Sequence, residues 1–427
     1  MENQTGNSNN MTSSPRFAPA DYVKVTILGF GLSALWASMH TIVLPLRLLD
    51  FAPESLKNSY LGYLTFAGLA LAMLVQPIVG AASDRSGFPW GRRRPYILAG
   101  TIVLLLLIPG IGLWESYAAV FVCYCLMQIA SNTAQGPYQG LIPDLVPEGK
   151  RGLASGVKSL LEMIGGVSLA RLAAYFMDQY SPGEGGYWLW LTLGTLGAVF
   201  LATALVTLLT VREQPGTGRR ATTPLTDILK SFQIDFKRHK NFIWFLVSRG
   251  LLGMPGVILQ TFALYYLTDV TGVDNPAGAA ANLLIAVGAA LIAVVYFAGR
   301  LSDRLGRKPI ILSSGLIGAV GIVLLYLSDS YVQVLLAGAL IGLASGAFLS
   351  TSWAMATDLA PEGEEAKYLG LTNLAMAAGS ALARLIGPLI DFFNTVETNM
   401  GYSVMLLACF LCFIVGSLLV LKVRRVR

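Results

Sequence analysis

The sequence predicts an all-α polytopic membrane protein, with twelve transmembrane helices in two pseudo-symmetric six-helix bundles. Three observations predict it: a low share of charge, twelve long apolar stretches and an internal repeat. Of the 427 residues, 55% are hydrophobic and 13% are charged, against roughly a quarter charged in soluble globular chains. A helix that crosses a bilayer needs about 20 mostly apolar residues, and stretches of that kind lie near 22–49, 59–82, 95–114, 117–142, 152–178, 187–210, 241–268, 278–300, 309–328, 331–357, 367–392 and 400–421. Many of the 45 glycines fall inside these stretches, where small residues let membrane helices approach closely.

Charge orders the remaining segments. Residues 1–21 are polar, without the basic-then-apolar layout of a cleaved leader, and read as a disordered cytoplasmic tail. The chain then divides into an N-terminal bundle (22–210), a cytoplasmic linker (211–240), a C-terminal bundle (241–422) and a basic cytoplasmic tail (423–427). With the amino terminus placed inside, 24 of the 30 Lys and Arg fall in inside loops and tails, which is the bias expected of cytoplasmic segments. The net charge of +6 is thus a topology signal, and nucleic acid is not an expected partner. A multi-pass protein of the cell membrane, with both termini in the cytoplasm, is expected. The four cysteines lie in apolar stretches without metal-like clustering.

The repeat is explicit. GAASDRSGFPWGRRRPYIL after span 2 is echoed by GRLSDRLGRKPIIL after span 8, and PDLVPEGKRGLASG after span 4 by TDLAPEGEEAKYLG after span 10. Asp84-Arg85 returns as Asp303-Arg304 at an offset of 219, and Asp144 as Asp358 at 214. Two parallel six-helix repeats with a D-R-x-G-x-R-R type loop in each half resemble the major facilitator superfamily. The resemblance implies alternating access around a central site lined by spans 1, 4, 7 and 10.

The repeated loop charges are candidates for a cytoplasmic gate: Asp84, Arg85, Arg92, Asp144, Asp303, Arg304, Arg307 and Asp358. A carboxylate there can accept bonds from helix N-terminal amides or from arginines of the other half. The alternative is a solvated positive anchor. The spelling FPWGRRRPYI resembles the loop of plant-type sucrose transporters and their animal relatives, and that of the glycoside-pentoside-hexuronide cation symporters. That resemblance implies secondary transport of a small molecule, a disaccharide or glycoside, by a monomer surrounded by lipid. It implies no cofactor beyond an ion gradient. The sodium-using symporters of that group carry aspartates within span 2, whereas residues 64–80 here contain no acidic side chain, so the resemblance disfavours sodium against protons.

Polar stripes inside the spans supply the candidate substrate site. Gln128, Asn132, Gln135 and Gln139 fall within about 60° of one another on an ideal helix, and Trp36 and His40 share a face of span 1. An aromatic face with amides and a cation suits a sugar, whose hydroxyls take hydrogen bonds while its C–H face stacks on indole. Arg249 and Gln260 lie on one face of span 7. Interhelical hydrogen bonding is the alternative for each of them. Arg47, near the outer end of span 1, reads as a snorkelling or salt-bridged residue.

Glu162 is the acid set clearly inside a span, with Lys158 one turn before it. The two form either a structural ion pair or, with His40, a proton-coupling site. Arg171 and Arg384 each precede an aspartate by seven residues, Asp178 and Asp391. This shared placement suggests an outer gate or a shared structural bond, while the sucrose-transporter resemblance also offers Arg171 as a sugar ligand. The first half reads as the more polar wall. Neither a GxxxxGK[ST] loop nor HExxH spacing occurs, which disfavours nucleotide-driven pumping and metal-centred enzyme chemistry. An exporter of drugs or metabolites, or a non-transporting sensor, remains compatible with the same fold.

Overall fold

The computed structural model describes residues 18–180, 186–213, 240–361 and 364–423. Residues 1–17, 214–239 and 424–427, which carry most of the expected tails and linker, lie outside the described residues. Among the described residues, twelve helices are long and apolar enough to cross a membrane. They are α1 (Pro19–Leu48), α2 (Glu54–Asp84), α3 (Arg94–Leu113), α4 (Tyr117–Leu145), α5 (Glu148–Met177), α6 (Tyr187–Thr210), α7 (Lys240–Asp269), α8 (Pro276–Leu305), α9 (Arg307–Tyr326), α10 (Tyr331–Leu359), α11 (Tyr368–Val396) and α12 (Met400–Leu421). Among the described residues there is no β-strand.

Local chemistry explains where the helices start and stop. The Ser116 hydroxyl accepts from the Ala119 amide at 3.3 Å to open α4, and Ser330 with Gln333 forms a reciprocal capping box at α10. Between α2 and α3, and again between α8 and α9, the chain turns through a glycine in the left-handed region, Gly91 (φ 125°) and Gly306 (φ 95°). A side chain at either position would be strained, and each glycine immediately precedes the basic residues of its loop.

The sequence repeat reappears as a repeat of packing. In the first half α1 packs on α5 and α6, and α4 on α2 and α3; in the second, α7 packs on α11 and α12, and α10 on α8 and α9. Equivalent glycines make the close approaches possible. A Cβ on Gly165 of α5 would come within 3.0 Å of Phe30 Cα in α1, and one on Gly379 of α11 within 2.8 Å of the Gly250 carbonyl in α7. Backbones this close add dispersion contact where lipid offers no hydrophobic drive.

An even number of crossings puts both described ends on one face, here the terminal face; the other is the far face. The halves meet chiefly through α2 on α11 and α5 on α8. At the far face the contact is intimate: a Cβ on Gly387 of α11 would lie 2.8 Å from the Asn58 carbonyl carbon in α2. Towards the terminal face, a Cβ on Gly80, Gly152 or Gly156 would meet nothing within 4 Å. The two bundles are in close contact at the far face.

Candidate functional site

α1 departs from regular α-helix where the site is built. Residues Met39–Val43 form a π-helical turn, followed by Pro45. Proline has no amide to donate and crowds the carbonyl four residues earlier, and π-turns concentrate at functional sites. Through this turn the regular 100° step no longer holds. Arg47 is 8% exposed; its Nε donates to the Ile111 carbonyl at 3.0 Å and its Nη2 to that of Trp114 at 2.8 Å, and it pairs with Asp50. Tyr180, just past the end of α5, donates to the same Asp50; burial, with that carboxylate beside it, pushes the phenol up to about 12. Arg47 is the salt-bridged structural residue expected of it.

The expected aromatic and amide cluster forms between α1 and α4. The Trp36 and His40 rings stack with centroids 5.2 Å apart, and Tyr124 meets Trp36 edge-on at 5.9 Å. Trp36 Nε1 donates to Ser131 Oγ at 2.8 Å. His40 Nε2 lies 2.8 Å from Tyr124 Oη, which also accepts from Gln128 Nε2 at 2.9 Å, and Asn132 Nδ2 donates to the Gln128 carbonyl at 2.8 Å. The sequence reading missed Tyr124 and Ser131: an aromatic and a serine in an apolar helix carry no signal until the partner helix is known. Gln135 is half-buried and Gln139 exposed, so the α4 stripe runs from a bonded part to an exposed end towards the terminal face.

On the second half, Gln260 and Gly256 are exposed on α7 and line a cavity of about 120 Å³ with Ser345 of α10, Tyr266 and Thr41 of α1. Its remaining walls are apolar and come almost wholly from α7, α8 and α10. The first half was expected to be the more polar wall, and the cavity lies against the less polar second half. Four amides give α4 its polarity, but the gap left by small residues opens beside α7 and α10. The volume is below the roughly 300–1,000 Å³ usual for small-molecule sites.

Arg249 is 2% exposed. It donates to Ser352 Oγ, and its guanidinium lies 5.0 Å from the Trp353 ring centroid and 5.9 Å from that of Phe348. Those π faces offset the charge in place of a carboxylate. Arg171 is exposed on α5 and stands apart from this cluster. Lys158 Nζ and Glu162 Oε1 are 3.4 Å apart on α5, and the lysine also lies over the Tyr138 ring at 5.7 Å. Tyr138 in turn donates to the Thr26 carbonyl at 2.8 Å, which ties the pair to α1.

The gate residues assemble differently from the expectation. Arg93 Nη2 lies 2.8 Å from Asp84 Oδ1, and Arg93 also pairs with Asp144. Arg92 Nη2 reaches Asp144 Oδ1 at 2.6 Å, and that hydrogen bond raises the Arg92 guanidinium above its ordinary value. In the second half Arg307 pairs with Asp303 and, at 3.2 Å, with Asp358. Arg85 is half-buried, while Arg304 is exposed and joins no ion pair among the described residues. Each of these pairs lies within its own half, where the expectation also allowed arginines of the other half. Arg93, absent from the expected gate set, is the hub of the first loop. The amides of Arg93 and Arg94 at the start of α3 are met by Glu213, at 2.9 and 3.3 Å.

Bonds between halves gather at the far face instead. Lys57 Nζ pairs with Asp269 Oδ1 at 2.8 Å, and Tyr265 Oη donates to the Pro45 carbonyl at 2.8 Å. Asp391, 4% exposed, accepts from the Ser59 amide at 2.6 Å, the Asn58 amide at 3.3 Å and Asn58 Nδ2 at 2.9 Å. A carboxylate of one half thereby caps the N-terminus of a helix in the other. The shared Arg–Asp placement proves unequal, because Asp178 is exposed while Asp391 forms this seal.

Known proteins fit this architecture. Residues 29–421 match the family described as MFS/sugar transport protein. The sucrose transport protein SUC3 of Arabidopsis thaliana is 27% identical over 231 residues, 44% of this chain and 37% of that protein. The lactose permease of Leuconostoc lactis is 23% identical over 323 residues, 69% of this chain and 50% of the permease. The chain thus spans at most about half the length of these curated relatives. The crystal structure of a D-xylose-proton symporter superposes with a TM-score of 0.74 at 16% identity, covering 95% of this chain and 97% of the symporter. That of the nucleoside transporter NupG gives 0.73 at 15% identity, covering 95% and 99%; both show the shared fold. A match over nearly the entire chain, on two six-helix repeats, places this protein in the MFS/sugar transport protein family of the major facilitator superfamily, a family of membrane transporters and not of enzymes.

Proposed function

We propose that this protein is a secondary transporter that carries a sugar or glycoside across the cell membrane by alternating access, in symport with protons. The observation that carries the reading is where the two halves bond: the hydrogen bonds and the ion pair found between them lie at the far face, which is shut, with aromatic and amide side chains on the terminal side of these bonds. Such a shape is one of the two end states that rocking around a fixed site requires. With both termini in the cytoplasm, it is the inward-open one. The relatives named for sucrose, lactose and xylose support a sugar as cargo.

Stacked Trp36 and His40, with Gln128, Asn132 and Gln135, would hold the sugar from the first half; Gln260, Ser345 and Trp353 face it from the second. Glu162 is the coupling group in this reading. Taking up a proton would release it from Lys158 and loosen the contact of α5 with α1. The test is uptake of labelled sucrose, lactose and xylose into proteoliposomes with and without an inward proton gradient. Gradient-dependent accumulation of one of them is expected, and no flux of any would overturn the reading. The apolar cavity beside α7 and α10 favours one second reading, export of a hydrophobic compound, which would show as dye extrusion in place of sugar flux.

A further inference from the structure

Tyr124 and Gln128 are 1% and 5% exposed, too buried to be a cargo's own ligands. What they do follows from counting protons. The Gln128 amide has its Oε1 3.4 Å from Asn132 Nδ2 and its Nε2 2.9 Å from Tyr124 Oη. An amide nitrogen only donates, so Tyr124 Oη accepts there. The phenol's own proton then needs an acceptor, and the one other polar atom bonded to Tyr124 Oη among the described residues is His40 Nε2, at 2.8 Å. Nε2 is therefore the bare nitrogen of the imidazole, and the ring proton sits on Nδ1. An imidazolium, a donor at both nitrogens, would leave the phenol proton unanswered.

Three helices hold this relay in place. A Cβ on Gly68 of α2 would run into the Tyr124 ring and Gln128 Cγ, so α2 backs both side chains. Trp36, fixed by its bond to Ser131 Oγ, stacks on His40 with the ring planes 27° apart. The His40 ring itself is half-buried. Its Nδ1 makes no hydrogen bond among the described residues, yet it is not one of the side-chain atoms shut away from solvent without a partner. The relay thus ends on a free N–H beside an indole.

We propose that His40 is a donor-only ligand of the cargo: Gln128 and Tyr124 hold it as the neutral Nδ1–H tautomer, and Nδ1–H donates to an acceptor oxygen of the sugar ring that lies against Trp36. Tyr124 and Gln128 are positioning residues that serve the cargo through His40. This rests on the sugar-transport reading above and deepens it. A ring or glycosidic oxygen carries lone pairs and no proton, so a fixed N–H selects for it, while the other tautomer would turn a lone pair towards it and repel it.

The first measurement is the 15N NMR spectrum of the purified full chain in lipid nanodiscs, labelled at histidine and free of cargo. The chain has two histidines, so His239→Gln leaves His40 as the one signal. Nδ1 is expected to carry the proton and Nε2 to be bare, and Tyr124→Phe should bring in the Nε2–H form. The second is uptake of labelled sucrose, lactose and xylose into proteoliposomes. Tyr124→Phe should raise KM about tenfold, the upper range for one neutral hydrogen bond, with kcat changed less. His40→Asn, whose amide can stand where Nδ1–H stood, should keep a lower KM than His40→Gln, whose amide reaches the Nε2 position instead. An imidazolium or an Nε2–H ring in the protein with Tyr124 intact overturns the inference and leaves the sugar reading standing. So does a tautomer unchanged in a folded Tyr124→Phe protein, or equal KM for the two His40 variants. If Tyr124→Phe fails to fold, the spectrum with Tyr124 intact still decides. No flux of any of the three sugars, with the Nδ1–H form present, overturns the sugar reading and the cargo contact with it.

Discussion

The far face and the terminal face of this molecule use the same residue types to opposite ends. At the far face, buried Asp391 and Lys57 and half-buried Asp269 bond across the halves, with backbone amides and a phenol completing the set. At the terminal face, Asp84, Asp144, Asp303 and Asp358 bond arginines of their own half, most of them well exposed. Exposed pairs contribute little, while a buried pair broken on one side leaves a costly charge behind. Charge chemistry alone does not say which face is shut; burial and the identity of the partner helix do. In the proposed transport cycle the far-face bonds are the ones that must break, so they would set the balance between its states.

The largest expected effect comes from Asp391→Ala. It strands two amides only while the far face is closed, at about 1–3 kcal/mol each, which moves the balance by roughly two orders of magnitude. Labelling of a Ser59→Cys reporter by a membrane-impermeant maleimide should change from slight to extensive; unchanged labelling would show that the seal does not depend on this cap. Gly387→Val attacks the same face sterically, since even a Cβ there runs into the Asn58 backbone. It should abolish net uptake while the protein stays monodisperse, and retained uptake would place the closing contact elsewhere.

Glu162→Gln separates coupling from movement: exchange of cargo should persist and gradient-driven accumulation should fall at least about tenfold, which is 1.4 kcal/mol. Full accumulation would remove Glu162 as the coupling group. The smallest effect is expected at the terminal face. Arg93→Lys keeps the charge but loses the fork that serves Asp84 and Asp144 together, lowering stability by about 1–3 kcal/mol and Tm by several degrees. Ser59→Cys labelling should not move. A large rise in labelling would mean that the first loop, too, governs the far face.

The helices were legible because their cause is local: an apolar window of bilayer length is helix wherever it packs. Span 6 and span 12 coincide with α6 and α12 residue for residue, and the repeat at offsets 219 and 214 returns as a repeat of helix contacts. The candidate site was half legible for the same reason. Trp36, His40, Gln128 and Asn132 are polar or amphipathic in apolar surroundings and could be flagged from one helix alone. What remained hidden depends on a partner from a distant segment. Tyr124 becomes a hub only opposite His40, Arg93 only between two aspartates, and Asp391 only against the first turn of α2. The π-turn at Met39–Val43 carried one faint signal, Pro45, which bends a helix in several ways. The seven-residue spacing of Arg384 and Asp391 was visible, but identical spacing at Arg171 and Asp178 leads to a different outcome, because spacing fixes a face and not what lies opposite it.

The cap on α2 has a bearing on how the chain is made. Asn58 and Asp391 are 333 positions apart, so α2 enters the membrane long before the residue that completes its first turn exists. At a synthesis rate of about 5–20 residues per second that interval is on the order of half a minute. The N-terminal bundle produced alone would begin α2 with bare amides at Asn58 and Ser59, whereas the C-terminal bundle carries its own capping groups at α8 and α10. The two bundles are equal by descent but not in order of completion: the first waits for the second.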